Sequence, residues 1–239
     1  MHAIIISRVR GEPRSTTIDS HLEPNTYPAI DAESTAYLDG KQIYHGTAAD
    51  RIEVQTQEVS VDENTIATWQ EPGLQTHATE WYADLEAGWI GVDSSKGDWL
   101  VSHLAMKHGV QAYETFVNLD RFAEYLRDEH ETATAWHTAR SQSYDDDGDS
   151  EKTTINYHDA ATIAETARGT NVQLGFEYFC GDVLVRGTIA KSGYAAIYSH
   201  MTVEEFARWV ADELLPFCYT EAFGQVELGH QDSSSEVES

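Results

Sequence analysis

Between Val172 and Tyr178 the chain alternates strictly. Val172, Leu174, Phe176 and Tyr178 take one side; Gln173, Gly175 and Glu177 take the other. A period of two puts one set on a buried face and predicts a strand. Gly181-Asp182 follows as a hairpin signal, because Gly supplies positive φ at the first turn position. Val183, Val185 and Ile189 then alternate with Leu184, Arg186 and Thr188, and Tyr194 to Tyr198 predicts a third strand. Thr202 opens a helix, with Glu205 completing a capping box and Met201 and Phe206 placed as a hydrophobic staple. Val203, Phe206, Ala207, Val210 and Leu214 make its apolar stripe, and Pro216 stops it.

The same pattern recurs 84 residues upstream. Gly97-Asp98-Trp99-Leu100-Val101 matches Gly181-Asp182-Val183-Leu184-Val185, and Phe122-Ala123 matches Phe206-Ala207. Trp89 to Glu129 carries 12 identities over 41 positions without a gap. Asn118 takes the cap position of Thr202. This predicts an internal duplication. By analogy with Val183 to Lys191, Trp99 to Lys107 is expected to be a strand. Thr76 to Glu86 and His158 to Arg168 read as the helices that open each copy. The expected fold is therefore α+β: tandem α-β-β-β-α units, each an antiparallel sheet with its helices on one face, preceded by a β-rich N-terminal region.

The N-terminal region alternates too. Ala3 to Ser7 reads as a strand, and Ser15 to Glu33 as a loop. Ala36 to Leu38 and Gln42 to Tyr44 flank the hairpin signal Asp39-Gly40, and Arg51 to Val61 alternates again. The expected organisation is a β-rich region over 1–72, which either packs on the first repeat and extends its sheet or forms a small subdomain, and the first repeat over 73–140. An acidic linker over 141–156, the second repeat over 157–223 and a disordered acidic tail over 224–239 complete it. The first repeat's last helix is expected to run on to Arg140.

Charge changes this picture most. The chain has 239 residues and a net charge of −26, with 41 acids against 15 Lys and Arg. The acids are dispersed over every element, which fits a whole-surface adaptation to high salt, where repulsion is screened within about 3 Å. No apolar run reaches the roughly 18 residues needed to span a bilayer. Met1 to Ile6 lacks the basic start of a signal peptide, so a cytoplasmic location is expected, with no membrane partner. Cys180 and Cys218 are expected to be free thiols.

Candidate chemistry is sparse. Arg8, Arg10 and Arg14 form the basic cluster and are the candidates for an anion or nucleic-acid contact. Trp81, Trp89 and Trp99 crowd the first repeat and are the candidates for a partner patch. Asp145 to Asp149 lacks the ligand pattern of an EF-hand loop. His130 and His137 are expected near one face of a long helix, and Asp212-Glu213 are adjacent, so they diverge. No catalytic residue, metal site or cofactor is assigned. The leading expectation is a non-enzymatic binding or adaptor protein of a halophilic organism, acting as an intramolecular pseudo-dimer with an unidentified protein partner. Nucleic-acid association through the three arginines and metal-dependent hydrolysis are the alternatives.

Overall fold

The computed structural model describes residues 2–37, 40–62, 65–130, 133–144, 150–157 and 170–220. In chain order its strands are β1 (His2–Arg10), β2 (Ala29–Ile30), β3 (Glu33–Ala36), β4 (Gln42–Asp62), β5 (Thr65–Asp84) and β6 (Trp89–Val92). Helix α1 (Asp98–His108), β7 (Gln111–Glu114), β8 (Phe116–Val117) and α2 (Leu119–Glu129) follow. Then come β9 (Thr134–Tyr144), β10 (Ser150–Tyr157), β11 (Thr170–Cys180), β12 (Val183–Ala190), β13 (Tyr194–Ile197), α3 (Val203–Trp209) and β14 (Cys218–Tyr219). The fold is α+β, dominated by one large antiparallel sheet in the order β10-β9-β11-β12-β13-β1-β6-β5-β4-β2.

The opening apolar run Ala3 to Ile6 becomes the strand at the middle of that sheet. Ile5 pairs with Tyr194 of β13 on one side and Val92 of β6 on the other. Ile4 and Ile6 face one core and Ile5 packs against the other, so both faces of β1 are covered, which is why the three read as a continuous apolar run and not as an alternation. Ile4 and Ile6 enter a core shared with Trp89, Phe122, Phe176, Phe206 and Trp209. Val9 enters a second core with Trp81, Ile90, Val92, Leu100 and Leu104. Helices α2 and α3 close the first core and α1 closes the second, so the helices lie on both faces, not one.

A three-stranded meander running into a helix flanks β1 on each side: β4-β5-β6-α1 and β11-β12-β13-α3. The capping expectations hold at both helices concerned. Thr202 and Glu205 form a complete capping box, and Asn118 accepts from the Arg121 N–H. Val210–Leu214 continues α3 as a π-helical turn, and a 3-10 turn at Leu215–Phe217 contains Pro216. The hairpin at Gly181-Asp182 holds as well, with Gly181 at φ 58°.

Several local expectations are corrected. Trp99 to Lys107 is helix α1, not a strand. Leu100, Val101, Leu104, Ala105 and His108 are buried at helical spacing, and Gly109 closes the helix in the left-handed region. Thr76 to Glu86 is the end of β5, up to Asp84, and the turn after it, not a helix. Trp81 and Ala83 enter one core and Tyr82 the other, so burial on both faces hides the alternation. The helix after Asn118 does not reach Arg140. It ends at Glu129, and Thr134–Tyr144 forms β9, held between β10 and β11. Tyr144 pairs with Ser150, so the expected linker lies within the β9–β10 hairpin and not between repeats. Residues 145–149, the helix expected over His158 to Arg168, residues Leu38 and Asp39, and the tail over 224–239 lie outside the described residues. The duplicated α-β-β-β-α units are not shown by this element order. No helix among the described residues is long and apolar enough to cross a membrane.

Candidate functional site

Trp81 and Trp89 have no exposed surface. They lie in different cores, on opposite faces of the sheet, and Trp99 packs at the edge of Trp81's core. The three indoles therefore fill the interior of the first half and present no common patch. Arg8 and Arg10 alternate with Val9 on β1 and point to one side. Arg8 is half-buried beside Cys218, and burial lowers the pKa of its guanidinium. Arg14 sits elsewhere, at the end of α1, where its backbone N–H donates to the His108 carbonyl at 2.8 Å and its side chain packs over Gly109. A cation there complements the helix C-terminus. The three arginines do not converge.

Three other features stand out. The first is an arm. β4 and β5 pair from Tyr44–Ala83 to Asp62–Thr65, and their distal parts leave the body as a two-stranded ribbon. At about 3.4 Å per residue, Arg51 to Asp62 extends on the order of 35–40 Å. Residues directly opposite each other share a face. One face bears the pairs Gln55–Pro72, Gln57–Gln70, Val59–Thr68 and Val61–Ile66. None of these eight side chains is ionisable, in a chain of net charge −26; nearer the body the same face carries Leu74 opposite Glu53. Val61 is 74% exposed, Ile66 71%, Leu74 69% and Val59 55%. The opposite face carries Glu58 and Glu71, and Glu71 accepts from the Trp69 indole at 2.8 Å.

The second is an open cleft of about 720 Å³ on the outer face of β11 and β12, reaching the first turn of α3. Trp136, Leu184 and Tyr198 line it, together with Glu177, Asp182, Arg186, His200 and Glu205. Arg186 Nε lies 3.5 Å from Glu177, and the Glu205 carboxylate accepts from the Thr202 N–H at 2.7 Å. Trp136 can lie flat on the sheet because residue 175 is Gly; a Cβ there would collide with the indole.

The third is a buried carboxylate. Glu213 sits in the π-helical turn, a geometry that widens the helix and recurs at functional sites. It accepts from the Tyr125 hydroxyl at 2.8 Å and the Tyr178 hydroxyl at 3.2 Å. Cys180 Sγ donates to it at 3.6 Å, and His130 Nε2 lies 3.7 Å away. The Trp209 N–H donates to Tyr178 at 2.8 Å. Burial first, and the neighbouring carboxylate second, raise the pKa values of Tyr125 and Tyr178. Both phenols therefore stay neutral donors. The Cys180 thiol is pushed up to about 11 by burial and by Glu213, so it is not a thiolate nucleophile near neutral pH. The network ties α2, β11 and α3 together and compensates a buried charge. A second phenol–carboxylate pair, Tyr37 donating to Asp84, lies in the same half of the molecule as β5.

Sequence reasoning noted Glu213 only as half of an adjacent acid pair. The correct inference was that Asp212 and Glu213 diverge; what escaped it was which one turns inward. Trp209 and Tyr178, both on buried positions, were the available signal. The pair His130 and His137 does not share a helix, because α2 ends at Glu129. No group of three His, Cys, Asp or Glu side chains among the described residues is arranged to hold a metal. No protein-family model matches the chain. No curated protein matches it at a significant level.

Proposed function

We propose that this chain is a non-enzymatic binding or adaptor protein, and that its β4–β5 arm carries the contact surface. The observation behind this reading is the uncharged apolar strip on one face of the arm. An isolated two-stranded ribbon is marginal in water, and exposed apolar residues in a row indicate an interaction surface. Along Gln55 to Val61 and Ile66 to Pro72 the acids, Glu58 and Glu71, are confined to the reverse face. The strip fits a partner that offers an uncharged, apolar edge or groove. The raised thiol pKa at Cys180 and the satisfied hydrogen bonds of Glu213 support a structural role for the one polar cluster that resembles an active site.

The test is site-specific photo-cross-linking from position 61 of the full chain, in extract of its source cells at native salt. A discrete adduct that disappears with Ile66→Asp supports the arm as the contact. Adducts unchanged by Ile66→Asp, or none, refute it.

The pseudo-dimer expectation keeps support in a different register. The strands that border β1 begin at Trp89 and Tyr194, and the helices that follow begin at Asp98 and Val203. Both intervals are 105 residues, not 84. Leu104 and Ala105 then answer Trp209 and Val210, and all four are buried. A two-fold rotation about β1, with a slide of three residues along it, would relate the halves, because β6 and β13 both run antiparallel to it while α1 and α3 close opposite faces. The high charge is read as adaptation to high salt.

A further inference from the structure

We propose that the cleft over β11, β12 and β13 is a binding site for a small organic cation of the alkylammonium class. Its floor is aromatic: Trp136 lies over Gly175, and Tyr198, half-exposed, faces the same space with Leu184. Its rim is acidic. Glu177, Asp182 and Glu205 line it against one permanent cation, Arg186, and that guanidinium is already turned to Glu177 at 3.5 Å. Aromatic faces present negative potential to a cation, Trp best of all, and nearby carboxylates add a second attraction that metal ions would share but the ring contact would not. An alkylammonium satisfies both parts, placing its methyl or methylene groups on the indole and its charge toward the acids. The base of a nucleotide would also stack on Trp136, but the nucleotide's phosphate would meet three carboxylates. The volume of about 720 Å³ lies in the range typical of small-molecule sites.

Gly175 is a second, independent sign of a built platform. The residue costs a strand some stability, yet it stands opposite Trp136 in the register of β9 and β11, where any side chain would lift the ring off the sheet. The site does not depend on the arm.

The experiment is isothermal titration of the full chain with choline and, separately, with spermidine, in 1 M KCl. That salt suppresses diffuse attraction to a chain of net charge −26. Saturable binding of either ligand is expected, weakened about tenfold by Trp136→Ala and by Gly175→Ala, as loss of a desolvated cation–π contact requires. Tyr198→Ala, at a half-exposed position, supplies a variant whose fold is not at risk and is expected to weaken binding several-fold. Choline binding identifies a quaternary ammonium ligand; spermidine binding alone identifies a primary amine. Absence of binding by both, or binding of equal strength in the three variants, overturns the proposal. Ile66→Asp on the arm leaves this binding unchanged, so failure here does not bear on the arm, nor the reverse.

Discussion

The two meanders that flank β1 have the same element order but differ in what covers them. On the β4–β6 side, α1 lies on one face and α3 reaches across the other, where Phe206 meets Tyr82 at 5.0 Å between ring centroids. Both Trp81 and Trp89 vanish into cores as a result. On the β11–β13 side, α2 and α3 cover one face. The reverse face far from β1 stays open, leaving Trp136 partly and Phe179, Leu184 and Tyr198 substantially in solvent. The same residue types thus do opposite work. Trp81 and Trp89 in the covered half hold the molecule together, and Trp136 on the open face offers a surface. Coverage by a neighbouring layer, not the side chain itself, separates the two roles.

The sharpest way to break this comparison is to truncate a tryptophan on each side. Trp89→Ala is expected to cost about 3–5 kcal/mol, the range for large aromatic truncations in a packed core, measured by denaturant unfolding in molar KCl. Trp136→Ala is expected to cost less, about 1–3 kcal/mol, since its indole is only partly buried. Equal losses would mean that the open face is not open. Next in size, Glu213→Ala leaves the Tyr125 and Tyr178 hydroxyls without their acceptor and is expected to cost about 1–3 kcal/mol. Glu213→Gln, which still accepts, should restore part of that.

Alkaline titration sharpens the picture. Burial pushes Cys180 from its ordinary 9 up to about 11 and Tyr82 from 10 up to about 12. The folded state therefore holds these protons more tightly than the unfolded chain does. Their contribution is complete below about pH 9 and is lost as pH rises from there through about 12, so the unfolding midpoint should be flat near neutrality and fall across that window. Thr202→Ala removes one half of the capping box and is expected to lower stability by about 1 kcal/mol. Smallest of all, Ile66→Asp on the arm should change stability by less than about 0.5 kcal/mol, because that side chain is 71% exposed. A larger loss would show the arm to be part of the core.

The second meander was readable residue by residue. Its strands alternate because one face is dry and the other wet over much of their length, its turn carries Gly181-Asp182, and its helix carries a capping box. The first half was not, and Gly97-Asp98-Trp99-Leu100-Val101 shows why. Its near-twin at Gly181 makes a hairpin and a strand, while this copy caps and begins α1. A Gly-Asp pair serves either purpose, since Gly turns the chain and Asp favours a helix N-terminus equally well. The decision falls to Leu104, Ala105 and His108, whose burial at helical spacing depends on strands distant in sequence. The arm was half-visible: Arg51 to Val61 alternates, but Pro72-Gly73 disguises its partner. Of the sites, the acid pair drew attention for its adjacency. The cleft could not be foreseen, because Trp136 reaches Gly175 only through the pairing of β9 with β11.

The position of β1 also has a consequence for how the chain matures. It precedes both of its principal neighbours in synthesis, yet one is completed only after Val92 and the other only after Ile197 has been made. Such long-range pairing makes for slow folding. In the interval an apolar strand with two unpaired edges is available to any other nascent chain, the condition under which aggregation competes with folding. Production of this protein should therefore be limited by the time it spends waiting for its last strands, and slowing translation early in the message should be less costly than slowing it just before β13.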